Sequence, residues 1–187
     1  MHNGKQNPAL NQVLLIEGHL QIRNPLEQVL MARGHRVTAV ASAELGLNAV
    51  DNGNFDTVIC NHQLPGISGM DFFSRSSTLL HGKNTILTAT FADNYLVNDA
   101  LAAGIQVYLE MPFKIENLIA CVEGRYQDIY AGSLGRHLYV TSGGQIMAVS
   151  SDGLNKKPVS DALKRPLQKP IHLRGRQWKL YLNPDTP

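Results

Sequence analysis

DTVICNHQLPGISGMDF, residues 56–72, is the stretch on which the reading of this chain turns. Residues 57–60 form a short β-branched and apolar run of the kind that makes a buried strand, and the run stops at the polar Asn61. Leu64-Pro65 and Gly69 then interrupt the chain before a helical pattern takes over at about residues 70–80.

The same alternation recurs on both sides. Residues 13–16 precede a predicted helix at about 25–33, where Leu26, Val29 and Leu30 share one face and Gly34 supplies the stop. Residues 37–40 precede a helix opening at Ser42, with Glu44 complementing the dipole of its first turn and Gly53 ending it. Residues 85–87 lead to a helix at about 95–103, and residues 107–109 to a last one at about 115–130. Five strand-helix units with right-handed crossovers imply an α/β, doubly wound, five-stranded parallel sheet covered on both faces. Ligands of such sheets bind at the carboxyl ends of the strands. Here those ends present Glu17, Asn61, Thr88 and Glu110-Met111.

In four places these residues resemble the receiver domain of two-component response regulators, over roughly residues 12–130: VLLIEG at 13–18, the central stretch, ILTA at 86–89 and AGIQVYLEMPF at 103–113. The family places its phospho-acceptor Asp, a Leu/Met-Pro and a Gly at the spacing that Asn61, Leu64-Pro65 and Gly69 keep. The resemblance implies nucleophilic attack by an Asp carboxylate on a phosphoryl group, assisted by Mg²⁺ on an acidic cluster, a Lys and a Ser/Thr hydroxyl. This chain departs from that set. Asn61 stands at the acceptor position, and an amide oxygen neither forms an acyl phosphate nor offers an anionic metal ligand. Glu17 keeps one carboxylate, Gly18 takes the place of the second, and Met111 replaces the lysine with a thioether. A degenerate receiver is therefore expected, with no metal, no cofactor and no enzymatic step.

Thr88 and Tyr108 retain the family's switch positions, although each also reads as an ordinary strand residue. Pro112 follows a bond that the family commonly holds cis. Receivers signal through the face built from the fourth helix, fifth strand and fifth helix, so the Tyr108 face is the expected contact for a protein partner. His62 reads as a loop histidine.

Charge divides the chain. Residues 1–132 hold 8 Lys/Arg and 12 Asp/Glu, a net −4, whereas residues 133–187 hold 9 and 3, a net +6. Two units follow, a receiver-like domain at 10–132 and a small basic β-rich module at 133–187. In the second, residues 137–140 and 145–149 read as a hairpin and Lys156-Lys157-Pro158 as loop, followed by a short helix near 160–164. KPIHLRGRQWKLYLNP, 169–184, reads as strand-turn-strand with Arg174, Arg176, Trp178, Lys179 and Tyr181 as candidate basic and aromatic binding residues. They suit nucleic acid or an acidic protein, and equally a solvated basic surface.

Cys60 and Cys121 lack metal-ligand spacing and read as buried thiols. No apolar run is long enough to span a bilayer and the first residues lack a signal-peptide core, so a cytoplasmic location is expected. Two readings follow: an adaptor acting through protein contacts without aspartate phosphorylation, with homodimerisation compatible, or an atypical transcriptional regulator whose basic module binds nucleic acid.

Overall fold

The structure, a computed structural model, describes residues 10–90, 94–124, 137–141, 146–149 and 156–158. Five strand-helix units run in order: β1 (Gln12–Ile16), α1 (Leu20–Ala32), β2 (Arg36–Val40), α2 (Ala43–Asn52), β3 (Thr57–Asn61), α3 (Gly69–Ser76), β4 (Asn84–Ala89), α4 (Asn94–Ala102), β5 (Val107–Glu110) and α5 (Ile115–Val122). Three further strands follow, β6 (His137–Val140), β7 (Ile146–Val149) and β8 (Lys156–Pro158). The sheet order is β2-β1-β3-β4-β5-β6-β7-β8. The expected parallel, doubly wound core is β1 to β5, and β6 continues it in parallel.

Strand alternation sorts the core into two layers. Val13, Leu15, Ile59, Ile86, Val107 and Leu109 face a cluster containing Leu26 and Leu30 of α1 and Leu118 and Val122 of α5. Leu14, Ile16, Val58, Cys60, Leu87 and Tyr108 face the opposite cluster, with Val50 of α2, Phe72 of α3 and Val97 of α4. These strands have buried side chains on both faces, which is why they read as continuous apolar runs instead of alternating ones.

α3 ends at Ser76, short of the expected residue 80, and three further boundaries differ with identifiable causes. α1 begins at Leu20, so Pro25 lies inside the helix instead of opening it. The apolar stripe starts one turn earlier than expected, at Ile22, and its burial with Leu26, Val29 and Leu30 outweighs the backbone bond that Pro25 cannot donate. α5 ends at Val122, where Gly124 at φ +65° provides the left-handed stop that the helical pattern concealed. The remainder of the helix expected there, 125–130, lies outside the described residues. Lys156-Lys157-Pro158, expected as loop, pairs antiparallel with β7. Among the described strands β8 is the last of the sheet, where a proline that cannot donate is tolerated.

The expected hairpin at 137–149 is present as β6 and β7, paired antiparallel. It does not stand apart from the receiver sheet. Leu138, Tyr139 and Val140 register against Val107, Tyr108 and Leu109 of β5. Val140 is fully buried in the α1/α5 layer, and Tyr139 packs against the opposite one. Among the described residues the sheet therefore has eight strands where five were expected. The short helix near 160–164 and the strand-turn-strand at 169–184 lie outside the described residues.

Candidate functional site at the carboxyl ends of the strands

Register and side-chain parity build the site. Asn61 pairs with Thr88 across β3 and β4, and Ile16 at the end of β1 pairs with Cys60. Glu17, Asn61 and Thr88 share parity with Leu15, Ile59 and Ile86, so they lie on the α1/α5 side of the sheet at neighbouring strand ends. All three are buried. The structure thus brings together Glu17, Asn61 and Thr88, whereas Glu110, also expected there, shares parity with Tyr108 and lies on the opposite side.

Glu17 is the centre of a hydrogen-bond chain. Its Oε2 accepts from Asn61 Nδ2 at 2.8 Å. Its Oε1 accepts from the His19 backbone N–H at 2.8 Å and lies 3.2 Å from His19 Nδ1. Asn61 Oδ1 in turn accepts from the Gln63 N–H at 3.0 Å. Gln63 Oε1 accepts from the Thr90 N–H at 3.3 Å and from Thr90 Oγ1 at 3.1 Å. The chain of contacts runs from the loop after β1, across the end of β3, to the end of β4. A carboxylate buried without partners would cost several kcal/mol, on the order of the penalty for a buried ion, whereas here both oxygens receive N–H donors.

The loop geometry around this chain has identifiable causes. Arg23, in the first turns of α1, donates through Nη1 to the carbonyls of Glu17 (2.6 Å) and Gly18 (3.2 Å). A β-carbon on Gly69 would collide with the carbonyl oxygen of Asn61, so glycine is what lets α3 begin against the end of β3. Ser68 caps α3 by accepting from the Asp71 N–H at 3.1 Å. Cys60, behind Asn61, is buried, and that burial pushes its thiol pKa far up, so it stays protonated.

Met111 continues the row at the end of β5, but its side chain is 3% exposed and belongs to the α1/α5 core layer with Leu118 and Phe113. It is a packing residue, not simply a neutral group in the pocket. The Met111–Pro112 bond is cis.

Tyr108 corrects an expectation. Expected at a contact surface, it has no exposed surface and lies in the α4 layer. β6 is the reason, since Tyr139 registers opposite Tyr108 and meets its ring edge-on at 5.7 Å and 69°. Tyr139 Oη also donates to Glu110 Oε2 at 2.9 Å, and burial followed by this contact pushes its phenol pKa up. Among the described residues, the exposed aromatic in this region is Tyr95 on α4, 82% exposed. Arg174, Arg176, Trp178, Lys179 and Tyr181 lie outside the described residues.

Arg23, Gln63 and Thr90 were not singled out from the sequence. Each acts through a partner brought to it by a loop, and no periodicity marks such a pair. Among the described residues, no three His, Cys, Asp or Glu side chains are grouped so as to hold a metal ion. No helix among them is long and apolar enough to cross a membrane.

A doubly wound parallel sheet with polar residues at the strand ends defines a class of α/β signalling and ligand-binding domains. Comparison with known proteins narrows it. Residues 13–123 match the response regulator receiver domain, and the chain belongs to that family. It is 31% identical over 113 residues to the transcriptional regulatory protein TcrA of Mycobacterium tuberculosis, covering 58% of this chain and 43% of that protein. To the transcriptional regulatory protein PdtaR of the same organism it is 32% identical over 126 residues, covering 64% and 60%. To the two-component response regulator PhoP of Pseudomonas aeruginosa it is 33% identical over 111 residues, covering 58% and 48%. The chain thus spans about half the length of the curated relatives it matches. Among solved structures, a CheY-like receiver domain protein from Methanospirillum hungatei superposes with TM-score 0.61 at 22% identity, covering 64% of this chain and 96% of that one. The response regulator DrrB of Thermotoga maritima superposes with TM-score 0.59 at 20% identity, covering 79% and 66%. These likenesses show the receiver fold.

Proposed function

We propose that this chain is a receiver that signals without aspartate phosphorylation, as a cytoplasmic adaptor or regulator working through protein contacts and not as an enzyme. The observation that carries the reading is the bond from Asn61 Nδ2 to Glu17 Oε2 at 2.8 Å. An amide at the acceptor position supplies no carboxylate nucleophile. It also presents an N–H donor to the buried carboxylate of Glu17, which could have served a cation.

The fit to Mg²⁺ is poor on the same ground. A hard divalent cation prefers several oxygen ligands, and here both oxygens of Glu17 already accept N–H bonds while Gly18 offers no side chain. Met111 supplies no positive charge and is committed to the core.

Without a covalent charge to bias it, such a domain presents to its partner a conformation that it already populates. The contact surface we favour is the side of the molecule carrying α4. Tyr108 contributes to it only by packing, and Tyr95 is the aromatic that solvent can reach there.

Rebuilding the site tests the reading. Asn61→Asp alone is expected to give little labelling by acetyl phosphate with Mg²⁺, because metal and cation sites are still poorly served. Adding Gly18→Asp and Met111→Lys is expected to raise it. A β-carbon at Gly18 meets Pro65 Cδ at 3.3 Å, with the Ala41 carbonyl and Leu64 Cδ2 in ordinary contact at 3.7 Å, so that change fits with a small shift. Met111→Lys buries an amine among apolar side chains, so the melting temperature of each variant is recorded beside the labelling. Equal labelling of the single and triple variants, both folded, would remove the weight placed on Gly18 and Met111.

A second reading is favoured by the relatives' names, since TcrA and PdtaR are called transcriptional regulatory proteins. In it, the basic segment beyond residue 132 binds nucleic acid. Titrating the full chain with nucleic acid at two salt concentrations separates the readings, because phosphate contacts make affinity fall steeply with salt. Binding that is absent, or indifferent to salt, excludes the second.

A further inference from the structure

We propose that Gln63 is a positioning residue that ties the end of β3 to Thr90 at the end of β4, four residues before α4, so that a solvent-facing bridge built into the chain itself sets the state of α4. The inference rests on the phosphorylation-independent reading of the pocket and says what takes over there. If no group is added to Asn61, whatever couples β3 to the segment before α4 has to be present in the chain itself.

Gln63 is placed to do this. Its backbone N–H is bonded to Asn61 Oδ1 at 3.0 Å, which fixes the residue against the strand end. Its side chain then reaches across to β4, where a single oxygen, Oε1, accepts both the N–H (3.3 Å) and the hydroxyl (3.1 Å) of Thr90. Thr90 directly follows β4, and α4 starts four residues later, at Asn94. An amide oxygen has two lone pairs and can satisfy both donors at once. The opposite end of the same chain is buried, where Asn61 Nδ2 is held by Glu17 and Glu17 by the His19 N–H. One consecutive set of hydrogen bonds therefore links the end of β4 to the ends of β1 and β3. α4 carries the exposed Tyr95, so the bridge acts on the helix that the proposed contact uses.

What the bridge requires is an acceptor at this side-chain length, not an amide as such. Gln63→Glu keeps Oε1 and its reach. Gln63→Ala removes the acceptor, and Thr90→Val removes one donor while leaving the N–H.

Hydrogen exchange of the full chain, read by mass spectrometry, tests this. Gln63→Ala is expected to speed exchange within α4 about 2- to 10-fold, the effect of losing a net hydrogen bond of ordinary strength, with β1 and α1 unchanged. Gln63→Glu is expected to exchange like the wild type. Thr90→Val should fall between, and adding it to Gln63→Ala should give no further increase, because the two share one interaction. The proposal is overturned by α4 exchange that does not change in Gln63→Ala. A uniform rise over every segment with a lower melting temperature also overturns it, since that is general destabilisation, and so does failure of Gln63→Glu to rescue. Phosphoryl labelling of the wild-type chain would defeat the reading of the pocket without altering these exchange rates, so the two failures are distinguishable.

Discussion

His35 lies at the end of the sheet remote from Glu17 and Asn61, just before β2, and its imidazole is buried. Its Nδ1 accepts from the Asn11 N–H at 3.3 Å, so the bonded form is neutral with the proton on Nε2. Burial lowers its pKa below the usual 6.5; Glu123 pulls it partly back and Arg33 lowers it further. Arg33 and Glu123 pair with each other at 2.7 Å, joining the ends of α1 and α5 beside it. The unfolded chain takes up this proton near pH 6.5, whereas the native chain resists it. The stability that neutral His35 contributes is therefore present above pH 6.5 and is lost as pH falls through 6.5 toward the lowered native value. Denaturant midpoints measured from pH 7.5 to 5.5 should decline, and His35→Asn, which keeps an acceptor for Asn11, should decline less. Equal slopes would show that other groups set the dependence. At this scale Glu17, Asn61 and Thr88 were legible because each is the polar residue ending an apolar run. Gln63 with Thr90, and Arg23 with two carbonyls, were not legible because the chain meets itself there across loops of irregular geometry.

The element that changes the picture most is β6. The sequence showed a hairpin at 137–149, and the structure has one, but nothing in its pattern of residues says which sheet it joins. It joins β5, parallel, and that single pairing turns Tyr108 from an expected contact into core. Tyr108→Ala is thus expected to destabilise by about 3–5 kcal/mol, as large aromatic truncations in cores do. Tyr139→Phe should cost only about 1 kcal/mol, the net value of its bond to Glu110, because the ring contact with Tyr108 survives. Thermal and denaturant melts of the two variants give both values. A Tyr108→Ala variant as stable as the wild type would mean that β6 does not cover this residue in solution. The stop of α5 is marked in the sequence by Gly124, but the apolar residues at helical spacing around it carry the stronger signal for continuation. The early start of α1 was hidden by Pro25, which is commoner at the first position of a helix than inside one.

For the whole molecule, the alternation of strands and helices in residues 12–122 was enough to fix a receiver-type sheet, and family membership over residues 13–123 agrees with it. The charge division at about residue 132 is real in the sequence but does not coincide with the edge of the sheet, since β6, β7 and β8 lie beyond it. Acidic and basic portions thus share one sheet. What the site does with its closed set of hydrogen bonds is the central point, and intact-mass measurement of the unmodified full chain after incubation with acetyl phosphate and Mg²⁺ addresses it directly. The expected result is an unchanged mass, because Asn61 holds an amide against the pocket's one buried carboxylate. A stoichiometric phosphoryl adduct mapped to Glu17, Asn61 or their neighbours would contradict it.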